Sequence, residues 1–153
     1  MPKMTSKKKI IKPPVLFPET QRLIKKIQTS NKIKVLAYWT SVNGSICQND
    51  VISFYEIIKD WPIQDKIYLF IKSDGGDGKA SLRIINLLRE HTKKLIVLVP
   101  GECSSAATIM ALGADEIHMG PLAFLSAVDT SLTHDLSPID KNNSLVSVSQ
   151  DEL

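Results

Sequence analysis

Residues Pro100 to Gly113 read P-G-E-C-S-S-A-A-T-I-M-A-L-G, a run of mostly small residues between a Pro-Gly break and a further glycine. An apolar run from Leu95 to Val99 precedes it and predicts a buried strand that ends at the Pro-Gly break. The small residues that follow predict a helix, so a serine is presented at a strand-to-helix turn. Backbone N–H groups in the first turn of a helix can bind a developing negative charge. The alternative interpretation is that Ser104 or Ser105 is only the N-cap of a tightly packed helix.

A second strand-to-helix corner comes earlier in the chain. The segment Lys66 to Lys72 predicts a strand, Ser73 to Gly78 a glycine-rich turn, and the apolar spacing after that turn a helix. The carboxyl ends of neighbouring parallel strands lie side by side, and open α/β sheets place their sites there. We therefore expect one corner to offer backbone donors and the other a hydroxyl group.

The remaining pattern alternates strands with helices, which predicts an α/β fold with a mainly parallel sheet and helices on its faces. Asn49 or Asp50 is the expected cap of the helix that follows the first strand. The other expected elements are an opening amphipathic helix over Pro18–Thr29 and strands over Ile33–Trp39, Asp115–Met119 and Ala123–Val128.

The two corners resemble paired motifs of a known group of proteins. Ser73-Asp74-Gly75-Gly76 resembles the S-P-G-G oxyanion turn of the Clp protease proteolytic subunit and of signal peptide peptidase A, within the crotonase-like superfamily. The segment Gly101 to Ala107 resembles the nucleophile turn G-x-A-x-S-x-A. The segment from Pro100 to Met119 resembles the serine dehydrogenase proteinase branch of this superfamily. The residues that match are P-x-x-x-x-S-A-A-T-x-x-A-L-G-A-D-E-I-x-M. The resemblance implies a ClpP/crotonase-like fold of repeated β-β-α and βαβ units.

The resemblance also implies an activity. It implies a serine peptidase in which Ser105 is the nucleophile and cuts peptide bonds. The oxyanion donors would be the N–H groups of Gly75 or Gly76 and of Ala106. The implied substrate is a peptide or a protein, and the implied assembly is a homo-oligomer.

The rest of the catalytic set departs from the Clp pattern. Ala127 or a neighbour stands where the Clp peptidases have their histidine. The serine dehydrogenase proteinases are described with the order Ser, Asp, His, which Asp129 and His134 fit. Asp129 matches the aspartate of the family's G-P-I-D, although Ser126-Ala127 replaces the Gly-Pro pair.

A serine hydroxyl needs a base to take its proton, since it is otherwise a weak nucleophile. His91 follows a long helix and His118 lies within a short strand, so we expect structural roles for both. His134 is the preferred base, and the alternative is a loop histidine paired with a neighbouring aspartate. Lys79 or Lys141 could serve instead if burial lowered the lysine pKa, because signal peptide peptidase A pairs serine with lysine.

Two other functions stay open. A catalytically inactive relative could keep the fold as a binding or scaffold subunit, which the missing Clp-type histidine favours. An acyl-CoA enzyme of the crotonase type would use the same paired oxyanion donors with acids in place of a serine. The presence of Ser105 at the turn argues against this second alternative.

Length and charge bound the organisation of the chain. With 153 residues, 17.0 kDa and 43% hydrophobic residues, the sequence predicts one globular domain. Most of the net charge of +3 comes from lysines among the first dozen residues. We expect a basic disordered tail over residues 1–14 and a ClpP/crotonase-like domain over residues 15–153. Family members continue for another strand and helix, so a truncated chain and a naturally reduced domain are both open alternatives.

Composition also limits the partners. No basic face with interleaved aromatic residues indicates nucleic acid binding. No stretch approaches the roughly 20 apolar residues of a transmembrane helix, and Cys47 and Cys103 fit a compartment with reduced thiols. The expected location is therefore cytoplasmic. Two cysteines without neighbouring histidines predict neither a metal site nor a cofactor, and Cys103 is interpreted as a packing residue.

Overall fold

The structure is a computed structural model that describes residues 17–31, 33–41, 43–129, 131–132, 137–146 and 148–149. The chain divides into two compact units, Met1–Lys32 and Ile33–Leu153. In the first unit, the described residues form the helix α1 (Phe17–Asn31), slightly longer than the predicted Pro18–Thr29. The predicted tail over residues 1–14 lies outside the described residues.

The second unit alternates strands and helices as the apolar periodicity predicts. Its elements in chain order are β1 (Lys34–Trp39), α2 (Gln48–Ile58), β2 (Ile67–Lys72), α3 (Gly78–Glu90), β3 (Leu95–Val99), β4 (Glu102–Cys103), α4 (Ala106–Leu112), β5 (Glu116–Met119), β6 (Phe124–Leu125), β7 (Ser131–Leu132) and β8 (Val148–Ser149). The main sheet has the order β1-β2-β3-β5, and its strands are all parallel. This confirms the predicted α/β fold with a mainly parallel sheet.

The core lies between one face of this sheet and the helices α2, α3 and α4. Strand residues at alternate positions point to the same side, and in β2 these are the fully buried Ile67, Leu69 and Ile71. Ile84 and Leu88 of α3 are also fully buried and belong to the same apolar cluster. Removing this apolar surface from water is the main favourable contribution to the fold.

Two local predictions were wrong. The helix α2 begins at Gln48 with Cys47 as its N-cap, so neither Asn49 nor Asp50 is the cap. Asp50 instead occupies the third position of the helix, and its carboxylate accepts a hydrogen bond of 2.8 Å from the Cys47 N–H. The strand predicted over Ala123–Val128 is only the two residues of β6, since beyond them the chain turns to contact the α4 corner.

The carboxyl edge of the sheet carries a second, smaller set of parallel pairings. Ile46 pairs with Gly76, and Ser73 pairs with Cys103. The strand β4 pairs with β6, which brings the segment after β6 against the start of α4. These pairings hold the two strand-to-helix corners together at one edge of the sheet.

Candidate active site

Ser105 occupies the tip of the corner between β4 and α4, and its backbone is left-handed. Its φ is 51° and its ψ is −122°, an uncommon conformation for a residue with a Cβ. Such conformations cost on the order of 1–3 kcal/mol and persist only where the surrounding contacts hold them. The side chain is half-buried, and Ala106 and Ala107 behind it are buried. The small side chains predicted at this corner therefore allow close packing around the serine.

Gly75 lies directly against this serine corner. Its φ is +110°, and a Cβ at this position would lie 2.8 Å from the Ser105 Cβ and 2.9 Å from the Ser104 carbonyl oxygen. Both distances are shorter than real carbon contacts allow. Only glycine fits between the two corners at this point, for conformational and for steric reasons.

Gly76 lies against the backbone of Ile46, in the segment that precedes α2. Its φ is +140°, and a Cβ there would lie 2.4 Å from the Ile46 backbone nitrogen. Two hydrogen bonds of 2.8 Å fix this pairing, from the Ile46 N–H to the Gly75 carbonyl and from the Asp77 N–H to the Ile46 carbonyl. The glycine turn is therefore held from both sides.

Two serine hydroxyls accept hydrogen bonds from amides at this site. The Gly75 N–H donates to the Ser73 Oγ over 3.2 Å, and the Ser105 N–H donates to the Ser126 Oγ over 2.7 Å. Within the described part of the chain, the N–H groups of Gly76 and Ala106 donate no hydrogen bond. The site thus presents backbone donors without internal acceptors beside a serine hydroxyl, an arrangement that can bind an oxyanion.

A cavity of about 660 Å³ opens over these residues. Ile109 of α4 and Val128, which follows β6, contribute apolar side chains to its lining. Its lining residues are Gly76, Asp77, Gly78, Lys79, Ser105, Ala106, Ile109, Val128 and Asp129. Ser105, Gly76, Ala106 and Asp129 therefore line one cavity, whereas Gly75 is buried and is not among its lining residues.

Asp77 fixes the start of α3 at the rim of this cavity. Its carboxylate accepts hydrogen bonds from the N–H groups of Lys79 and Ala80, at 2.8 and 3.1 Å. It also accepts one of 2.6 Å from the Gln48 amide, and this bond is the main reason that the Asp77 pKa lies below its ordinary value. Gln48 accepts a further bond from Arg83, so a polar chain joins the starts of α2 and α3.

The described residues do not place a histidine at the cavity. His134, the predicted base, lies outside the described residues. The Nδ1 of His91 is 2.9 Å from the Leu87 carbonyl at the end of α3, which fits the predicted structural role. His118 pairs with Glu116 over 3.0 Å on β5.

The two lysines considered as bases lie in different places. Lys79 lines the cavity and is exposed, at the start of α3. Lys141 is exposed and is not among the cavity residues. Cys103 is fully buried, and burial raises its thiol pKa to about 11. A thiol with such a pKa stays protonated at neutral pH, in agreement with a packing role.

The sequence interpretation did not assign roles to two hydroxyl residues of this site. Thr40 is buried and donates a hydrogen bond of 3.1 Å to the Ser73 Oγ. Ser126 contacts the Ser105 amide. The sequence offered one indication for Ser126, which stands where the G-P-I-D pattern has its glycine. It offered no indication for Thr40.

The family comparison agrees with this geometry. A model of the ClpP-like SDH-type serine proteinases matches residues 6–143. The chain belongs to this family. Within the described residues, no group of three or more metal-binding side chains is clustered, and no helix is long and apolar enough to cross a membrane.

Individual relatives match over parts of their length. An uncharacterised protein of Methanocaldococcus jannaschii is 36% identical over 74 residues, which are 48% of this chain and 24% of the relative. The 1510-N membrane-bound stomatin-specific protease, solved as a serine-to-alanine mutant, has a TM-score of 0.55 at 21% identity and covers 76% of this chain and 54% of its own. A lysine-to-alanine mutant of the same protease, in complex with a substrate peptide, also has a TM-score of 0.55 at 21% identity. Its match covers 78% of this chain and 53% of the protease chain. The chain thus spans about half of each solved relative and shares its fold.

Proposed function

We propose that this chain is a serine peptidase that cuts peptide bonds with Ser105 as its nucleophile. The observation that carries the proposal is the left-handed backbone of Ser105, held against Gly75 at a distance that only a glycine permits. Strained backbone at a site that also opens into a cavity is typical of functional residues. Membership of a serine proteinase family supports the same reaction class.

In the proposed mechanism, the base takes the proton of the Ser105 hydroxyl as the Oγ attacks the carbonyl carbon of a peptide bond. The Ala106 N–H and the Gly76 N–H then bind the oxygen as it becomes negative. The Gly75 N–H, the other donor that the sequence suggested, already donates to the Ser73 Oγ. Preorganised donors of this kind are commonly worth a few kcal/mol each in the transition state. The protonated base then gives this proton to the amine as the C–N bond breaks, which leaves an acyl group on Ser105. Water, activated by the same base, attacks the acyl carbon and releases the acid and the free serine.

For the base we propose His134, oriented by Asp129. Asp129 lines the same cavity as Ser105, and His134 follows it by five positions in the sequence. Lys79 is the second candidate because it also lines the cavity, and the related protease was captured with a peptide as a lysine-to-alanine mutant. Lys79 is exposed, however, and a lysine becomes a base near neutral pH only when burial or a neighbouring cation lowers its pKa.

A catalytically inactive binding or scaffold subunit is the second candidate function. It is favoured by one observation, that no histidine within the described residues lines the Ser105 cavity. In this alternative, the two corners would hold a peptide without cutting it.

A fluorophosphonate probe distinguishes these functions because it phosphonylates only activated serines. We expect labelling at Ser105, mapped by mass spectrometry, and its complete loss in Ser105→Ala. The matched control Ser104→Ala should label as the original chain does. His134→Ala should slow labelling about 10²- to 10⁴-fold if it is the base, whereas Lys79→Met should not.

The outcomes separate clearly. A folded chain without labelling at Ser105 would overturn the peptidase proposal and leave the binding subunit. Labelling that survives in His134→Ala but is lost in Lys79→Met would transfer the role of base to Lys79. Cleavage of a mixed peptide library by the labelled preparation, and its absence in Ser105→Ala, would then identify the bonds that are cut.

A further inference from the structure

Ser126 joins the nucleophile corner to the segment that follows β6. Its Oγ accepts a hydrogen bond of 2.7 Å from the Ser105 N–H. The same hydroxyl donates its own proton to the Ala127 carbonyl over 2.9 Å. The hydroxyl proton is therefore committed elsewhere, and a lone pair of the oxygen faces the Ser105 amide.

The backbone of Ser126 also holds the corner. The Thr108 Oγ1 lies 3.0 Å from the Ser126 carbonyl and 3.0 Å from the Cys103 carbonyl, so this hydroxyl joins the two segments. The Ser126 N–H points to the same Cys103 carbonyl at 3.4 Å. Contacts from Ser126 thus reach residues before, at and after the nucleophile position.

These contacts bear on the strained residue itself. Ser105 is the N-cap residue of α4, and an N–H at the start of a helix has no acceptor within that helix. The Ser126 hydroxyl satisfies this amide, while the next amide, that of Ala106, donates no hydrogen bond within the described residues. Val128 and Asp129, two and three positions after Ser126, line the cavity.

We propose that Ser126 is a positioning residue for the reaction: its hydroxyl holds the Ser105 backbone in the attacking conformation and sets the distance to the wall that carries Asp129. This inference rests on the proposed peptidase function. The sequence pattern that the chain resembles has glycine at this place, so the hydroxyl is a feature of this chain and not of the pattern.

Two measurements on the same variants test the role. In Ser126→Ala, we expect the maximal rate of fluorophosphonate labelling at Ser105 to fall about 10- to 100-fold. The probe concentration for half-maximal rate should change less than about threefold, since the cavity walls remain. Ser126→Thr keeps a hydroxyl and should recover most of the rate. Ser53→Ala removes a similar hydroxyl that bonds to the Asn49 carbonyl on the exposed side of α2, and it should label as the original chain does.

The second measurement does not need activity. Hydrogen–deuterium exchange of the Ser105 amide, followed by NMR, should accelerate at least about tenfold in Ser126→Ala and not in Ser53→Ala. If the original chain is not labelled, the peptidase proposal fails while the exchange still reports on the Ser126 contact. Unchanged exchange in Ser126→Ala would overturn the contact, and unchanged labelling would overturn its role in positioning.

Discussion

At the scale of single residues, the site depends on close packing between the backbones of Ser105 and Gly75. Ser105 is left-handed with a side chain, and Gly75 is left-handed without one. The position that a Gly75 Cβ would occupy lies 3.2 Å from the Ala106 nitrogen, one of the proposed oxyanion donors. Any side chain here would press on both the nucleophile and the donor.

We therefore expect Gly75→Ala to reduce labelling at Ser105 by about 100-fold or more, since a misplacement of about 1 Å has effects of this size. The substitution should also destabilise the fold by about 1–3 kcal/mol, because alanine rarely adopts the φ of +110°. Labelling kinetics and urea unfolding measure the two effects.

Gly101→Ala is the matched control for this prediction. A Cβ at Gly101 would meet no atom within 4 Å, and its φ lies outside the left-handed range. It should keep the labelling rate and the free energy of unfolding close to those of the original chain. A Gly75→Ala variant that labels at the original rate would contradict the proposed fit of the two corners.

At the scale of elements, carboxylates fix the starts of strands and helices. Asp77 caps α3, and Asp50 closes the capping box of α2. Asp115, just before β5, binds the start of β3 and the end of α3, since it accepts hydrogen bonds from the Leu95 N–H at 2.7 Å and from Arg89 at 3.2 Å. The hydrogen bond from the Leu95 N–H has the largest effect on the pKa of the Asp115 carboxyl and holds it below its ordinary value. The positive charge of Arg89 lowers this pKa further.

This lowered pKa predicts a direction of pH dependence. The carboxyl of Asp115 is more acidic in the folded chain than in the unfolded chain, whose value is about 3.9. Its contribution to stability is therefore complete above the unfolded pKa and is lost as the pH falls through the folded pKa. Between about pH 5 and pH 2, the original chain should lose more stability than Asp115→Asn, which has no such titration.

Urea unfolding at a series of pH values measures this difference. Asp60→Asn is a suitable control because Asp60 is exposed just beyond the end of α2. It should follow the pH dependence of the original chain. An Asp115→Asn variant with the same acid slope as the original chain would show that the Leu95 and Arg89 contacts do not stabilise the ionised carboxyl.

At the scale of the whole molecule, we predict that the chain assembles into a homo-oligomer. The family to which it belongs is ClpP-like, and several large apolar side chains of the second unit are exposed. Leu122 is 88% exposed and Trp39 is 67% exposed, and an interface between copies of the chain would cover such side chains.

Light scattering after size-exclusion chromatography should give a mass that is a multiple of 17.0 kDa at micromolar concentration. Dilution should shift the mass toward that of the single chain if the contacts are weak. A single species of 17.0 kDa at every concentration would contradict the prediction.

The sequence by itself determined the order and type of the main elements of the second unit. Apolar periodicity fixed the four strands of the main sheet and the helices between them, because buried faces impose their spacing on local sequence. It also indicated the two corners, since glycines and small residues mark places where backbones approach closely. The expected cap of α2 was wrong because the true cap, Cys47, is an unusual cap residue.

The tertiary structure alone decided which groups meet between the corners. The bond between the Ser105 amide and the Ser126 hydroxyl joins residues 21 positions apart, and the Thr40–Ser73 bond joins residues 33 apart. The pairing of β4 with β6 brings about the first of these contacts, and two-residue strands leave too little periodicity to be predicted. Local sequence determines how each corner turns, but the contacts between corners depend on how strands distant in the chain pair.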